Sequence, residues 1–140
     1  MNKFGYPETL IKEYTRWVLL LRPQQVTLGS LVLACRDEAT AFSQITPEAF
    51  SELQPIIREV ERSLSRTFSY EKINYLMLMM VDLDVHFHIL PRYGTQKVFG
   101  EQVFVDHGWP GLPDLKTPNM TSKEIIQEIK NFLKSNWVNL

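Results

Sequence analysis

The sequence predicts an α+β fold in which an antiparallel sheet of about five strands carries one long helix on a face and is closed by a C-terminal helix. Residues 15–21 and 27–35 are rich in large apolar and β-branched types and are separated by an Arg-Pro-Gln-Gln turn, which indicates two strands. Gly29 is expected to mark a bulge or a close backbone approach. Apolar residues then recur at helical spacing, and residues 85–93 alternate as a strand does.

Two helices have recognisable beginnings in the sequence. Thr46 and Pro47 are typical of an N-cap followed by proline in the first helical turn. The apolar residues that follow at helical spacing are Phe50, Leu53, Ile57, Val60, Leu64 and Phe68. Pro55 interrupts this pattern, and we expect it to kink the helix rather than end it. Residues 121–124 match a capping box and precede the apolar stripe of a closing helix, which consists of Ile125, Ile129, Phe132, Leu133 and Trp137.

A central hairpin and a long loop complete the predicted elements. Residues 73–81 form a nearly unbroken apolar run and residues 85–93 alternate, so we expect two antiparallel strands joined by a turn at residues 82–83. Residues 94–118 gather glycine and proline, which predicts a loop with a short strand at residues 102–105. This loop would either cover a neighbouring site or only pack over a sheet edge.

Composition limits the class of protein. A chain of 140 residues with 44% hydrophobic content is typical of one folded domain, here residues 1–140. The 15 basic and 16 acidic residues give a net charge of -1, which provides no bulk attraction to a nucleic-acid polymer or an anionic membrane. Cys35 is the only cysteine, so no intrachain disulfide is expected and the cytoplasm is the expected compartment. The longest early apolar run, residues 17–21, is too short for a spanning helix.

The most informative segment contains two of the three histidines, His86 and His88, two residues apart. Alternate side chains of a strand point to opposite faces, so both imidazoles would lie on one face of the sheet. The residues predicted to share that face are Asp82, Asp84, His86, His88 and Arg92. The residues predicted to face the core are Val85, Phe87, Ile89 and Tyr93. One face of the strand therefore combines carboxylate, imidazole and guanidinium groups.

Metal binding is one chemistry that suits this face. Asp84, His86 and His88 would offer one carboxylate and two nitrogen ligands to a transition metal. The next glutamate after the pair is Glu101, and His107 is the one remaining imidazole. The ligand set is therefore incomplete in the local sequence.

Nucleophilic attack on phosphorus is a second chemistry. A neutral imidazole nitrogen attacks a phosphate ester when its other ring nitrogen is held by an acceptor and nearby donors meet the phosphoryl charge. His86 would be the nucleophile, with His88 and Arg92 as donors, and Asn74 is the nearest amide on the preceding strand. A pair of histidines at this spacing also occurs by chance without a site, since short motifs have many false positives.

Residues 84–92, Asp-Val-His-Phe-His-Ile-Leu-Pro-Arg, resemble the signature of the histidine triad family. That signature runs His, apolar, His, apolar, His, then two apolar residues, and Pro-Arg often follows. The order of elements over residues 14–93 also agrees with the family: a hairpin with a glycine, a long helix and the histidine hairpin. The resemblance is greatest to the branch of dinucleoside polyphosphate hydrolases.

This resemblance implies a nucleotide phosphate hydrolase or nucleotidyl transferase that needs no cofactor or metal and forms a homodimer. It makes His86 the nucleophile that becomes nucleotidylated at an α-phosphate, and His88 the residue that contacts phosphate and assists the leaving group. Asp84 stands where the family has its first histidine. The acceptor for the nucleophile's other nitrogen is largely a main-chain carbonyl at that position. Candidate substrate contacts are Asn74, Asp84 and Arg92.

The sequence departs from the family in two further places. Residues 79–83 lack the glycine-containing segment that precedes the triad, and Gly29 is followed by Ser30 rather than histidine. Two alternatives therefore stay open. One is a non-catalytic nucleotide-binding protein of the same fold, and the other is a metal-binding protein that uses Asp84, His86 and His88.

Overall fold

The computed structural model describes residues 4–140, and these contain a five-stranded antiparallel sheet, a two-stranded hairpin and two α-helices. The spatial order of the main sheet is β1 (Leu10–Glu13), β2 (Trp17–Leu21), β3 (Leu31–Cys35), β5 (His86–Arg92) and β4 (Lys72–Leu76). The hairpin consists of β6 (Lys97–Phe99) and β7 (Gln102–Phe104), and the helices are α1 (Pro47–Phe68) and α2 (Lys123–Ser135). The predicted α+β class is confirmed.

Helix α1 begins where the sequence predicts. Thr46 Oγ1 accepts a hydrogen bond from Ala49 N at 3.2 Å, and Pro47 occupies the first helical position. The helix runs for 22 residues through Pro55, which lies on its exposed side, and it ends at Ser69 in the left-handed conformation. Ala49 and Leu53 before the proline and Ile56 and Val60 after it belong to or pack on the core, which explains why the helix continues. Of the predicted stripe, Phe50 is 43% exposed, and Ile56 takes the core position expected for Ile57.

The two faces of the sheet have different partners. One face forms the main core with α1, through Trp17, Leu19, Leu21, Leu31, Leu33, Ile89, Ile56, Val60 and Leu64. The other face has a smaller apolar cluster of Val18, Leu20 and Ala34, which is packed by Phe4, Tyr6 and Leu10. His86 pairs with Ala34 and His88 pairs with Val32, so alternation along β5 puts both histidines on this second face. Opposite them, Val85, Phe87, Ile89 and Tyr93 belong to or pack on the main core, as predicted.

The C-terminal helix is confirmed, although its buried stripe differs in part from the predicted one. The N-cap is Ser122 rather than Thr121, the first residue of the predicted capping box, because Ser122 Oγ accepts a hydrogen bond from Ile125 N at 3.2 Å. The helix buries Ile126, Ile129 and Leu133, whereas Phe132 is 44% exposed. Within residues 4–140, no helix is long and apolar enough to cross a membrane.

Three strand predictions need correction. The predicted strand at residues 73–81 ends at Leu76, and residues 77–85 form a loop. Met79 has a positive φ of 52°, and Asp82 Oδ1 accepts a hydrogen bond from Asp84 N at 3.0 Å, so local turn geometry replaces extended backbone. The predicted strand at residues 27–35 begins only at Leu31, as β3. Strand β1 was not predicted, because its four residues do not show an extended apolar pattern.

Gly29 confirms the expected close approach between backbone and core. Its φ is +88°, and a Cβ at this position would lie 2.9 Å from Cδ2 of Phe68. Only glycine avoids both the left-handed strain and this clash. The chain can therefore turn tightly between β2 and β3 over the end of α1.

Candidate active site

His86 and His88 line one cavity of about 240 Å³. Their side chains are 3% and 8% exposed, and their ring centroids are 5.0 Å apart. The other residues that line this cavity are Phe4, Arg22, Leu78, Met80, Val81 and Asp82. Pockets that enclose a whole small molecule usually measure about 300–1,000 Å³, so this cavity has room for part of a ligand.

Phe4 forms an apolar wall beside both imidazoles. The centroid of its ring lies 5.4 Å from that of His86 and 5.9 Å from that of His88. Thr9 Oγ1 donates a hydrogen bond to Phe4 O at 2.6 Å, which holds this part of the chain over the sheet. An apolar wall keeps water away from the histidines and strengthens electrostatic interactions inside the cavity.

The hydrogen bond of His86 suits a nucleophile. Nδ1 lies 2.7 Å from the main-chain carbonyl oxygen of Asp84. A carbonyl oxygen can only accept, so Nδ1 carries the proton and Nε2 of the neutral ring keeps its lone pair. Asp84 therefore acts on His86 through its backbone, a role that any residue at this position can perform.

His88 differs from His86 in its hydrogen bonding and in its pKa. Its Nδ1 is buried and has no hydrogen-bond partner among the residues that the structure describes. Burial, the Arg22 guanidinium and the His86 imidazole together lower the pKa of His88 from its ordinary 6.5 to about 4. The ring is therefore neutral at pH 7 in the ligand-free protein. A phosphate anion in the cavity would favour the protonated ring, which can then donate to it.

A titration of His88 tests this environment. We expect the imidazole signals of His88 in NMR spectra of the free protein to change with a midpoint near pH 4. Because an unfolded histidine binds its proton near pH 6.5, the unfolded state holds more protons between pH 6.5 and 4. The His88 contribution to the free energy of unfolding is thus present above pH 6.5 and is lost as the pH falls through this window. A His88 midpoint at pH 6.5 would contradict the burial described above.

Arg22 is a site residue that the sequence analysis did not identify, since it was assigned only to the turn after β2. Val18 and Leu20 lie on the histidine face of the sheet, and Arg22 follows two residues later. Arg22 N donates to Ser30 O at 2.9 Å, which continues the pairing of β2 with β3 by one residue. The alternation of β2 is visible in the sequence, but its position beside His88 depends on the order of the strands.

The turn that presents Arg22 is held by a buried amide. Gln25 is 0% exposed, and its Nε2 donates to Arg22 O at 2.6 Å and to Ser30 O at 3.1 Å. Its Oε1 accepts a hydrogen bond from Gly29 N at 2.8 Å. All the polar atoms of this side chain are therefore paired with backbone, which makes the turn rigid.

Gln25→Leu is expected to lower the free energy of unfolding by about 2–3 kcal/mol, because it leaves buried backbone groups of the turn without partners. Urea unfolding would measure this loss. The matched control is Gln54→Leu on the exposed side of α1, which should change stability by less than about 0.5 kcal/mol. Equal stability of the two variants would show that the Gln25 hydrogen bonds do not hold the turn.

Asn74 and Arg92, the other predicted contacts, lie at a second cavity of about 670 Å³ rather than with the histidines. Arg92 Nε and Nη2 donate to the two carboxylate oxygens of Asp106 at 2.6 and 3.0 Å, and Nη1 donates to Asn74 Oδ1 at 2.7 Å. Arg92 does share the histidine face, but it follows His88 by four residues, which is roughly 13 Å along a strand. The structure therefore separates the predicted guanidinium from the imidazoles.

The loop at residues 94–118 belongs to this second cavity as well. Its residues 109–113 line the cavity together with β4 and Arg92. The predicted short strand at residues 102–105 is β7, which pairs with β6 in a hairpin of its own. The loop therefore lines a cavity beside β4, and none of its residues is among those that line the histidine cavity.

A metal site with Asp84, His86 and His88 as ligands is not favoured by this geometry. Across residues 4–140, no group of three or more His, Cys, Asp or Glu side chains is placed to hold a metal ion.

No family model and no curated protein sequence matches this chain. Solved structures do match. A histidine triad protein from Sinorhizobium meliloti 1021 is 19% identical over 91% of this chain and 87% of its own, with a TM-score of 0.72. A histidine triad protein from Bradyrhizobium japonicum is 18% identical over 94% of this chain and 92% of its own, with a TM-score of 0.71.

A third match is described as a hypothetical histidine triad nucleotide-binding protein from Sulfolobus tokodaii. It is 14% identical over 91% of this chain and 82% of its own, with a TM-score of 0.69. At these identities the likeness concerns the backbone, and it extends over nearly the whole chain in all three cases. The chain described here has the fold of the histidine triad proteins.

Proposed function

We propose that this protein is a nucleotide phosphate hydrolase or nucleotidyl transferase that acts at an α-phosphate through a nucleotidyl-histidine intermediate. Dinucleoside polyphosphates and nucleoside phosphoramidates are the proposed substrate classes. The observation that carries this proposal is the 2.7 Å hydrogen bond between His86 Nδ1 and Asp84 O, inside a cavity shared with His88. It prepares one imidazole as a nucleophile beside a second imidazole that can exchange a proton.

In the first step, the Nε2 lone pair of His86 attacks the α-phosphorus and forms a P–N bond. The bond from phosphorus to the leaving group breaks, and the leaving atom takes a proton from His88. His88 is neutral in the free protein, so it must gain that proton when the anionic substrate binds and raises its pKa. The products of this step are a nucleotidyl-His86 and the neutral His88.

In the second step, water or another acceptor attacks the same phosphorus. Neutral His88 accepts the proton of the attacking hydroxyl while the P–N bond to His86 breaks, and the nucleoside monophosphate is released or transferred. The burial of both rings supports this cycle, because a shielded intermediate reacts only with an acceptor that enters the cavity.

We also propose one domain, a homodimer and a cytoplasmic location. Residues of the sheet, α1 and α2 all contribute to the main core, which supports a single folding unit. Strand β4 is an edge of the sheet, and an edge strand offers unpaired backbone groups to a second copy. Light scattering of the purified protein would give its mass in solution, and a monomer at micromolar concentration would reject the dimer.

Trapping the intermediate tests the proposed function. The protein is mixed with diadenosine triphosphate or with adenosine 5′-phosphoramidate, quenched in alkali because P–N bonds are acid-labile, and analysed by peptide mass spectrometry. We expect an adenylyl group on the peptide that contains His86 in the wild type and no adenylyl group in His86→Ala. Turnover without any modified His86 would reject the covalent mechanism. Nucleotide binding with neither turnover nor modification would favour the non-catalytic alternative.

A further inference from the structure

Two polar atoms at the histidine cavity are buried without a partner. They are Nδ1 of His88 and Nε of Arg22, and neither has a hydrogen bond to any residue that the structure describes. Burying a hydrogen-bond donor without a partner lowers the stability of the folded protein, and a charged donor lowers it more. Such donors are therefore uncommon unless a ligand accepts their hydrogen bonds. Both of these groups belong to residues that line the same 240 Å³ cavity.

The turn after β2 places the guanidinium of Arg22 at the histidine cavity. Arg22 Nη1 donates to Gln24 O at 2.7 Å, which fixes one end of the guanidinium and leaves Nε unpaired. Burial lowers the pKa of Arg22, because a guanidinium out of water is less stable in its charged form. Gln25 holds the backbone of this turn, so the position of Arg22 is fixed from both sides.

The register of the sheet gives the order of these groups. On β3, Ala34 pairs with His86 and Val32 pairs with His88. Val32 also pairs with Leu20 of β2, and Arg22 lies two residues after Leu20. Arg22 therefore lies beyond His88 on the side away from His86. One strand separates Arg22 from His88, and two strand spacings of roughly 10 Å are within reach of an extended arginine side chain.

We propose that Arg22 binds the leaving-group phosphate of a polyphosphate substrate, so that this site prefers dinucleoside polyphosphates to phosphoramidates. The inference rests on the proposed function, in which His86 attacks the α-phosphorus and His88 assists the leaving group. When the P–O bond breaks, its electron pair goes to the leaving oxygen, which takes a proton from His88, while the other oxygens of the departing phosphates stay negatively charged beside Arg22. A leaving amine takes its proton from His88 and brings no anion for Arg22 to pair with.

The test compares two substrates across matched variants. We expect Arg22→Gln to lower kcat/KM for diadenosine triphosphate at least about tenfold, as loss of a charge-assisted hydrogen bond does, and for adenosine 5′-phosphoramidate less than about twofold. Arg22→Lys should keep part of the polyphosphate activity. Arg66→Gln, an exposed arginine of α1 on the other side of the sheet, is the control and should match the wild type with both substrates.

Equal losses for the two substrates, or no loss, would overturn the role of Arg22 while turnover that depends on His86 would still support the proposed function. If the wild type turns over neither substrate, the proposed function fails, and calorimetric titration with ATP and AMP decides the role of Arg22 by itself. A preference for ATP over AMP that disappears in Arg22→Gln would support it. An unchanged preference would overturn it.

Discussion

Replacing His86 with alanine is expected to lower kcat at least about a thousandfold with any substrate that the protein turns over, because the proposed P–N bond forms on Nε2 of His86. Among the histidines of residues 4–140, His86 is the one whose Nδ1 donates to a backbone carbonyl and whose side chain lines the cavity. Binding of the nucleotide should change far less than kcat, since the Arg22 and His88 groups remain. Steady-state kinetics and a separate titration would measure the two effects.

The matched control is His107→Ala. His107 is exposed and lies outside both cavities described above, so its removal should leave turnover and stability unchanged. A His86→Ala protein that is folded and turns over at the wild-type rate would contradict the mechanism. An equal loss in the two variants would point to a general effect on folding instead.

The largest effect on stability is expected at the buried ion pair between Arg92 and Asp106. The side chains are 4% and 1% exposed, and the carboxylate also accepts hydrogen bonds from Tyr93 N at 3.2 Å and Gly108 N at 3.3 Å. Asp106→Ala leaves a buried guanidinium without its counter-charge. We expect it to lower the free energy of unfolding by about 3–5 kcal/mol, measured by urea unfolding. Glu101→Ala, an exposed carboxylate on the same loop, should change it by less than about 0.5 kcal/mol.

The double variant Arg92→Met, Asp106→Leu separates structure from catalysis at this second cavity. Removing both charges together avoids an unpaired ion, so the double variant should be more stable than Asp106→Ala. Turnover by the double variant near the wild-type level would agree with a structural role for Arg92, whose donors are occupied by Asp106 and Asn74. A stable double variant with strongly reduced turnover would show instead that Arg92 acts in the reaction.

The elements with strong local patterns were predicted well. The N-cap at Thr46 and the alternation around His86 each depend on residues close together in sequence, so the pattern and the structure have the same cause. Strand β1 and the end of β4 were not predicted. Strand β1 is short and forms by pairing with β2, a tertiary contact that its own residues do not indicate. Strand β4 ends before Met79, whose positive φ is not compatible with extended backbone.

In the candidate site, too, local patterns predicted some residues and tertiary contacts decided the others. The shared face of the two histidines follows from their spacing within one strand, since residues two apart on a strand point the same way. The backbone role of Asp84 was expected only from the resemblance to the histidine triad signature, and the structure has this hydrogen bond. The sequence analysis named Arg92 as the guanidinium of the site because it follows the histidines on the same strand, and it assigned Arg22 only to a turn. The structure puts Arg92 in an ion pair with Asp106 and brings Arg22 to the cavity.

By itself, the amino-acid sequence determined the class of fold, the long helix and the face on which His86 and His88 lie. These depend on periodicity and on capping residues, which act within a few positions of the chain. Only the tertiary structure decided that Arg22 lies at the histidine cavity and that Arg92 forms an ion pair with Asp106. That choice depends on strand order and register, which bring Arg22 beside His88 across β3 and which no local pattern contains.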